Sequence, residues 1–312
     1  MRFNPKARLD TSRTRDAGRS SGSRSGGSRL PIPGGIGGGG IGGVVLLVIL
    51  FVIGRAAGID ILGGGGSGGG PGAGGLDSSR FTDTGRYSQC ETGEDANSSA
   101  DCARVAVENS LFDYWSEELG SRFEPEKGLV TFTGSIGTGC GDASSDVGPF
   151  YCPGDTTIYL DSGFFDQVLE EQLGGPDGGF VEAYVLAHEY GHHIQNLLGA
   201  MGQVRTQQGP QSDAVRLELQ ADCYAGMWAR AASDTEDASG VALFSSLTQQ
   251  DIDLALEAAA SVGDDRIQEQ TQGQVTRESW THGSAAQRQA WFGIGFEQGS
   301  LEACDTFAAG TV

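Results

Sequence analysis

One short segment constrains this chain more than any other: residues 188–192 read His-Glu-Tyr-Gly-His inside a stretch, Phe180 to Met201, that has the apolar periodicity of a helix. With 3.6 residues per turn, His188 and His192 lie one turn apart on the same face, so both imidazoles can reach one tetrahedral zinc ion. Glu189 is rotated by about 100° from His188, which places its carboxylate beside the metal as a candidate general base. Since the chain has only four histidines, chance is a poor explanation of the pair.

A second predicted helix, Ser212 to Ala232, contains the sequence Glu-Leu-Gln-Ala-Asp at residues 218–222. Glu218 is therefore our candidate for the third ligand of a single zinc ion per chain. Asp222 follows one turn later and can orient a ligand histidine, because a zinc-bound imidazole usually hydrogen-bonds a carboxylate or carbonyl through its other nitrogen. The alternative is that both residues are solvent-facing acids of an acidic domain.

The two remaining histidines specify less. His282 lies in a predicted loop and is a candidate catalytic residue, as a hydrogen-bond donor to the oxyanion of a tetrahedral intermediate. The alternative for His282 is a helix cap or a packing residue. His193 points away from His188 and His192 on the helix, so we expect it to have a supporting or surface position rather than to bind metal.

The first quarter of the chain has an unusual composition. Residues 1–29 are rich in Arg, Ser and Gly and almost lack large apolar side chains, which predicts a disordered basic tail. Residues 30–54 carry no charge and end in the apolar run Val44 to Ile53, which predicts one transmembrane helix. A cleaved signal peptide is the competing interpretation. Residues 55–76 form a glycine-rich linker, which leaves residues 77–312 as one folded domain.

Charge is distributed unevenly along the chain. Residues 1–30 hold eight Lys or Arg against two Asp, a net +6, so the total of −21 leaves −27 on residues 31–312. Such an acidic domain should repel nucleic acid, and we exclude a nucleic-acid partner. The basic flank predicts a single-pass protein of the cell membrane, with its N-terminus cytoplasmic and residues 77–312 extracytoplasmic.

The cysteine pattern favours disulfides over a thiolate metal site, since no CxxC pair occurs. All six cysteines follow the apolar segment, which fits an oxidising, exported compartment. The simplest pairing joins each cysteine to the next along the chain, but six cysteines allow fifteen connectivities. The candidates are Cys90 with Cys102, Cys140 with Cys152, and Cys223 with Cys304.

The remaining periodic segments predict an α+β domain that is mainly helical with a small sheet. Ala103 to Leu119 and Thr248 to Val262 have helical spacing. Leu129 to Thr133 and Thr156 to Leu160 are rich in β-branched and aromatic residues, which predicts strands.

Taken together, these motifs give the chain a resemblance to the putative neutral zinc metallopeptidase family of bacterial membrane proteins. The similarity covers roughly residues 129–307, and the segments that carry it are Thr138 to Gly141, Gly148 to Pro153 with Ile158 to Asp161, Ala187 to Gln195, Glu218 to Gly226, Ile252 to Asp265, Thr281 to Ser284 and Cys304 to Phe307. The resemblance implies a zincin-like fold of the gluzincin type behind a basic tail and one membrane segment. In such folds an edge strand above the HExxH helix commonly pairs with the substrate, and Thr156 to Leu160 is our candidate for it.

The function expected from these residues is a membrane-anchored zinc peptidase that hydrolyses peptide bonds with a zinc-activated water and Glu189 as general base. Its partners would be a peptide or protein substrate and the membrane. The main alternative is a catalytically silent zinc-bound scaffold or regulatory adaptor at the cell surface. A secreted, disulfide-stapled binding module without metal would leave His188, His192, Glu218 and Asp222 as a coincidence.

Overall fold

The computed structural model describes residues 1–19, 81–171, 173–176 and 179–312. Its class is α+β, and helices form most of the regular structure in these ranges. None of the described helices is both long and apolar enough to span a bilayer. The predicted membrane segment at residues 30–54, the linker at residues 55–76 and residues 20–29 of the tail lie outside the described residues.

Four of the helices match the predicted helical segments closely. Three more helices, whose apolar periodicity is weaker, were not predicted. Long helices were expected near residues 103, 180, 212 and 248, and they occur there as α2, α3, α4 and α5. Their starts follow from local chemistry: Ser212 and Thr248 each accept a hydrogen bond from the backbone N–H three residues on, which caps α4 and α5. The bounds are α1 Gly93–Ser98, α2 Ala100–Leu119, α3 Gly179–Leu198, α4 Asp213–Ala231, α5 Gln249–Ser261, α6 Asp264–Gln272 and α7 Ala285–Gln298.

Eight short strands form three small sheets in the described part of the chain. The strands are β1 Arg2–Phe3, β2 Thr14–Arg19, β3 Gly128–Thr133, β4 Ser135–Thr138, β5 Gly141–Ser144, β6 Phe150–Cys152, β7 Thr157–Asp161 and β8 Phe244–Ser246. The main sheet has the order β2-β3-β7-β6, in which β2, β3 and β7 are parallel and β6 is antiparallel to β7. β4 and β5 form a hairpin, and β1 pairs with β8.

The prediction of which strand forms the edge of the sheet was wrong. Thr156 to Leu160 corresponds to β7, which is an interior strand with β3 on one side and β6 on the other. β6 is the edge strand at that end of the sheet. With three residues, β6 is too short to produce an alternating sequence pattern, so the neighbouring strand was chosen in its place.

The prediction of a disordered tail was also wrong for residues 1–19. This segment supplies both β1 and β2, and Phe3 and Ala7 are buried. The segment gains its order from strands and helices far away in sequence, and composition alone does not reveal such partners.

Three disulfides close the domain, and they have the sequential pairing: Cys90 with Cys102, Cys140 with Cys152, and Cys223 with Cys304. The third ties α4 to the C-terminal segment across 81 residues.

Two glycines allow α4 and α7 to pack with their backbones almost in contact. A Cβ atom at Gly295 would lie 1.9 Å from the carbonyl oxygen of Cys223, and one at Gly226 would lie 2.1 Å from the carbonyl oxygen of Phe292. Neither position can hold a side chain unless the helices separate. This contact matters for the site because α4 and α7 each contribute to it.

We predict that Gly295→Ala lowers the free energy of unfolding by about 2 to 3 kcal/mol, because the added methyl must push α7 away from α4. Gly293→Ala on the same helix is the matched control, since nothing lies within 4 Å of its Cβ position. The control should gain up to about 1 kcal/mol from the better helix propensity of alanine. Denaturant unfolding measures both, and equal effects of the two variants would contradict this packing.

Candidate metal centre

The three candidate ligands of the metal come together at the crossing of α3 and α4. His188 Nε2 lies 3.2 Å from Glu218 Oε2, and His192 Nε2 lies 3.5 Å from Glu218 Oε1. One ligand atom from each residue falls within 4.8 Å of the others, and this is the group with metal-binding geometry among the described residues. Gly191, between the histidines, lets the helices approach, since a Cβ there would lie 3.0 Å from the Ala221 carbonyl oxygen.

These separations fit one tetrahedral zinc ion. Ligand atoms 2.0–2.2 Å from a tetrahedral centre are about 3.3 Å apart. His188 and His192 approach different oxygens of Glu218, at 3.2 and 3.5 Å, and one ligand atom of each residue lies within 4.8 Å of the others. Two histidines and one glutamate are a ligand set of catalytic zinc sites, in which a fourth position stays available for water or substrate. The residues present therefore fit the ion that the sequence motif implies.

Both imidazoles are fixed from behind through their other nitrogen. His188 Nδ1 lies 2.8 Å from Asp222 Oδ1, and His192 Nδ1 lies 2.8 Å from Gln195 Oε1. If each Nδ1 carries the proton, it donates to that oxygen, and each Nε2 presents its lone pair to the metal position. Gln195 is held in turn, because its amide donates to the Leu217 carbonyl oxygen over 2.6 Å.

Asp222 is fully buried, and its carboxylate has three hydrogen-bonding partners: His188, Tyr184 and Arg288. The Tyr184 hydroxyl donates to Oδ1 over 2.6 Å, and the Arg288 guanidinium donates to both carboxylate oxygens over 2.8 and 2.9 Å. Arg288 comes from α7, so a single carboxylate connects α3, α4 and α7. Such a two-point guanidinium contact fixes both the position and the plane of the carboxylate.

The electrostatics keep the acidic groups ionised. Burial would raise the pKa of Glu218, but His192, His188 and His282 together lower it well below its ordinary value. Burial likewise opposes ionisation of Asp222, yet Arg288 and His188 lower its pKa to about 2. Both carboxylates are therefore negatively charged at neutral pH. A site with this charge favours a divalent cation.

His282 is brought to the site by the segment between α6 and α7. Its Nδ1 lies 3.2 Å from Asp264 Oδ1, while Asp264 Oδ2 accepts backbone N–H bonds from Thr281, His282 and Gly283. The ring is 9 % exposed and its charge acts on Glu218. With Nδ1 turned toward Asp264, Nε2 is the ring nitrogen directed away from this support. His282 is thus a buried side chain that interacts electrostatically with Glu218.

Two further residues of the motif helix, Glu189 and His193, are buried. Glu189 is buried at 7 % exposure and follows His188 directly on α3. His193 faces the opposite side, where its Nε2 lies 2.8 Å from the Glu124 carbonyl oxygen and its Nδ1 lies 3.1 Å from the Tyr151 hydroxyl. Burial lowers the pKa of His193 to about 4, so this ring is neutral and links α3 to β6.

Sequence reasoning missed three supporting residues: Gln195, Asp264 and Arg288. Gln195 carries a detectable signal, because it follows His192 by three residues and so shares its helix face. Arg288 and Asp264 act over 66 and 18 residues, respectively, and no local spacing indicates such contacts.

Comparison with known proteins agrees with the site. The family model described as putative neutral zinc metallopeptidase matches residues 1–307. The uncharacterized protein Rv2575 of Mycobacterium tuberculosis is 55% identical over 226 residues, which are 71% of this chain and 75% of the relative. The uncharacterized protein YpfJ of Escherichia coli K12 is 43% identical over 204 residues, 62% of this chain and 67% of the relative. No solved structure matches.

We predict that Asp222→Asn weakens zinc affinity by about 10- to 100-fold, because the amide can no longer accept both the guanidinium and the His188 proton as a carboxylate does. Competition against a chromophoric chelator measures the dissociation constant. Glu257→Gln makes the same change of charge at an exposed position of α5 and should leave the affinity unchanged. An unchanged affinity in Asp222→Asn would contradict the orienting role.

Proposed function

The chain belongs to the putative neutral zinc metallopeptidase family, and from that premise we propose that it is a zinc-dependent peptidase with one catalytic zinc ion per chain. The observation that carries the proposal is the convergence of His188, His192 and Glu218, whose ligand atoms lie within 4.8 Å of one another, with both histidines held through Nδ1. A rigidly supported His₂Glu set beside a second glutamate is the arrangement that metal-assisted hydrolysis requires.

In this proposal Glu189 handles the proton. When bound, zinc would act as a Lewis acid and lower the pKa of a water molecule to about 7. Glu189 lies next to His188 on α3 and accepts a proton from the attacking water. It then delivers that proton to the nitrogen of the departing amine, so one carboxylate serves as base and then as acid.

We assign His282 to the oxyanion. Asp264 Oδ1 lies 3.2 Å from Nδ1, so the doubly protonated imidazolium of His282 would donate through Nδ1 to Asp264 and through Nε2 to the substrate carbonyl oxygen as negative charge develops. The three backbone N–H bonds to Asp264 fix the loop that carries His282. Because the donor is positioned before the reaction, little reorganisation is needed when the charge appears.

The substrate backbone is proposed to lie along β6, in the manner of zincin-like folds. β6 is the antiparallel edge strand of the main sheet, and it packs against α3. An edge strand presents unpaired backbone groups to which an extended peptide can add. This geometry supports an extended peptide or protein segment as substrate.

We further propose that residues 81–312 work outside the cytoplasm. Three disulfides, with no free cysteine left over, support an oxidising compartment. The anchoring segment expected at residues 30–54 remains a prediction from the sequence.

The alternative function is a catalytically silent zinc-bound scaffold. It shares the metal centre and differs in lacking turnover, so metal content and cleavage must be measured on the same sample. Purified full-length protein with one zinc per chain and no cleavage of a mixed peptide library would favour the scaffold. Absence of zinc would contradict both functions.

We predict that Glu189→Gln retains one zinc per chain but lowers the rate of peptide cleavage by about 100- to 10,000-fold, since the amide cannot accept the proton. Zinc is quantified by elemental analysis and cleavage by mass spectrometry of the library. Glu257→Gln on exposed α5 is the control and should cleave at the wild-type rate. Wild-type cleavage by Glu189→Gln would overturn the assignment of the base.

A further inference from the structure

The N-terminal segment, residues 1–19, is bound to the domain along its whole length. β1 pairs with β8, where Phe3 and Phe244 have ring centroids 5.0 Å apart, and β2 forms the edge of the main sheet beside β3. Between the strands, Leu9 donates its N–H to the Glu91 carbonyl oxygen over 2.9 Å. The segment therefore contacts three separate parts of the domain, and most of these bonds are backbone bonds.

The domain has no room for side chains where the segment passes. A Cβ atom at Gly93 would lie 2.0 Å from the Asn4 carbonyl oxygen, and one at Gly128 would lie 2.3 Å from the Arg13 carbonyl oxygen. Both glycines belong to the domain, and each allows the backbone of the segment to come close. The domain surface is thus shaped for this segment.

Arg13 gives the contact its charge complementarity. Its guanidinium lies 2.6 Å from Glu108 Oε1 and 3.8 Å from Glu126 Oε1, and it stacks 3.9 Å over the Phe112 ring. The side chains of Glu108 and Glu126 are 3 % and 0 % exposed. Burial, and then the neighbouring Glu108 carboxylate, raise the pKa of Glu126, and among the described residues Arg13 is the cation that lies beside both acids.

This buried cluster lies behind the motif helix. Tyr190 packs edge-to-face against His193, with ring centroids 5.6 Å apart, and His193 Nε2 lies 2.8 Å from the carbonyl oxygen of Glu124, two residues before Glu126. Tyr190 lies between His188 and His192 in sequence and is directed to the opposite side of α3. The N-terminal segment consequently supports the back of the helix whose front carries the metal ligands.

The two ends of the intervening stretch meet at one place. The Thr84 N–H donates to the Asp16 carbonyl oxygen over 2.9 Å, and the Thr84 hydroxyl donates to Asp16 Oδ2 over 2.6 Å. The described residues on either side of positions 20–80 therefore meet at the same edge of the main sheet. A single crossing of a bilayer would instead separate its flanks by about 30 Å of hydrocarbon.

We propose that residues 1–19 are an intramolecular clasp that folds with the domain and occupies the same compartment. A cytoplasmic N-terminus and an extracytoplasmic domain cannot coexist with this contact within one chain, so the clasp replaces the single-pass topology expected from the basic flank. The inference does not depend on peptidase activity.

A pair of cysteines across β1 and β8 tests the compartment. Arg2 and Ser246 are exposed antiparallel partners, and the distance between such Cα atoms falls within the range that a disulfide bridges. The full-length Arg2→Cys/Ser246→Cys chain would carry a protease site in the glycine tract at residues 63–75. Intact cells are treated with the membrane-permeant thiol oxidant diamide and then with an alkylating reagent before lysis.

After purification and cleavage at the inserted site, we expect one band on a non-reducing gel and two bands with reductant. Each single-cysteine chain is a control and should give two bands under both conditions. The native cysteines are all paired, so they add no competing thiol. Two bands without reductant from the double variant would place the segment and the domain apart and overturn the proposal.

A second variant tests the clasp without added cysteines. In the cut but otherwise native protein, Arg13→Met should raise the dissociation constant of the N-terminal fragment by about 100-fold or more, because Glu108 and Glu126 lose their buried cation. Arg15→Met, at an exposed position of the same segment, is the matched control and should leave it unchanged. Equal release of the fragment from both variants, measured by size-exclusion chromatography, would contradict the role of Arg13.

Discussion

The buried carboxylate of Asp222 is the contact on which the metal centre depends. It receives the Tyr184 hydroxyl and His188 Nδ1 from α3 and the Arg288 guanidinium from α7, while its own backbone belongs to α4. Three helices are thereby fixed relative to one another at the point where the ligands converge. A shift of α7 would move Arg288, release Asp222 and allow His188 to rotate. The packing of the helices therefore determines the geometry of the candidate metal ligands. For this reason Gly295, which allows α7 to approach α4 closely, affects the geometry of the site as well as the packing of the core.

The same contact explains how acids can be ionised inside the domain. Removing a charge from water costs several kcal/mol, and the cost is recovered only when the partner geometry is good. Asp222 has a two-point guanidinium partner, and Glu218 is surrounded by three histidines. Glu218 faces an ion position and Asp222 faces an arginine, so one acid is available for a metal while the other is already neutralised. This division explains why two acids four residues apart on α4 have different roles.

The sequence predicted the parts of the site that depend on helix periodicity. The positions of His188, His192 and Glu189 follow from 3.6 residues per turn, and Glu218 and Asp222 follow from the same rule on the next helix. The partners that come from elsewhere were not predictable, because the contact of Arg288 depends on how α7 packs and not on its own neighbours. The sequence also did not predict the short edge strand β6, since three residues give no alternating pattern. Sequential disulfide pairing agreed with the structure because two of the pairs close local loops.

For the N-terminal segment, amino-acid composition gave a wrong prediction of disorder. Its few apolar residues cannot form a core of their own, so the entropy argument for disorder is sound for an isolated peptide. In the folded chain the segment adds a parallel strand to an existing sheet, inserts Phe3 into an existing core and places Arg13 on acids that are already buried. The domain therefore supplies the partners, and the segment needs only a matching register. The motif helix is consequently held on two sides, by Asp222 and Arg288 at the metal centre and by the Arg13 cluster behind Tyr190.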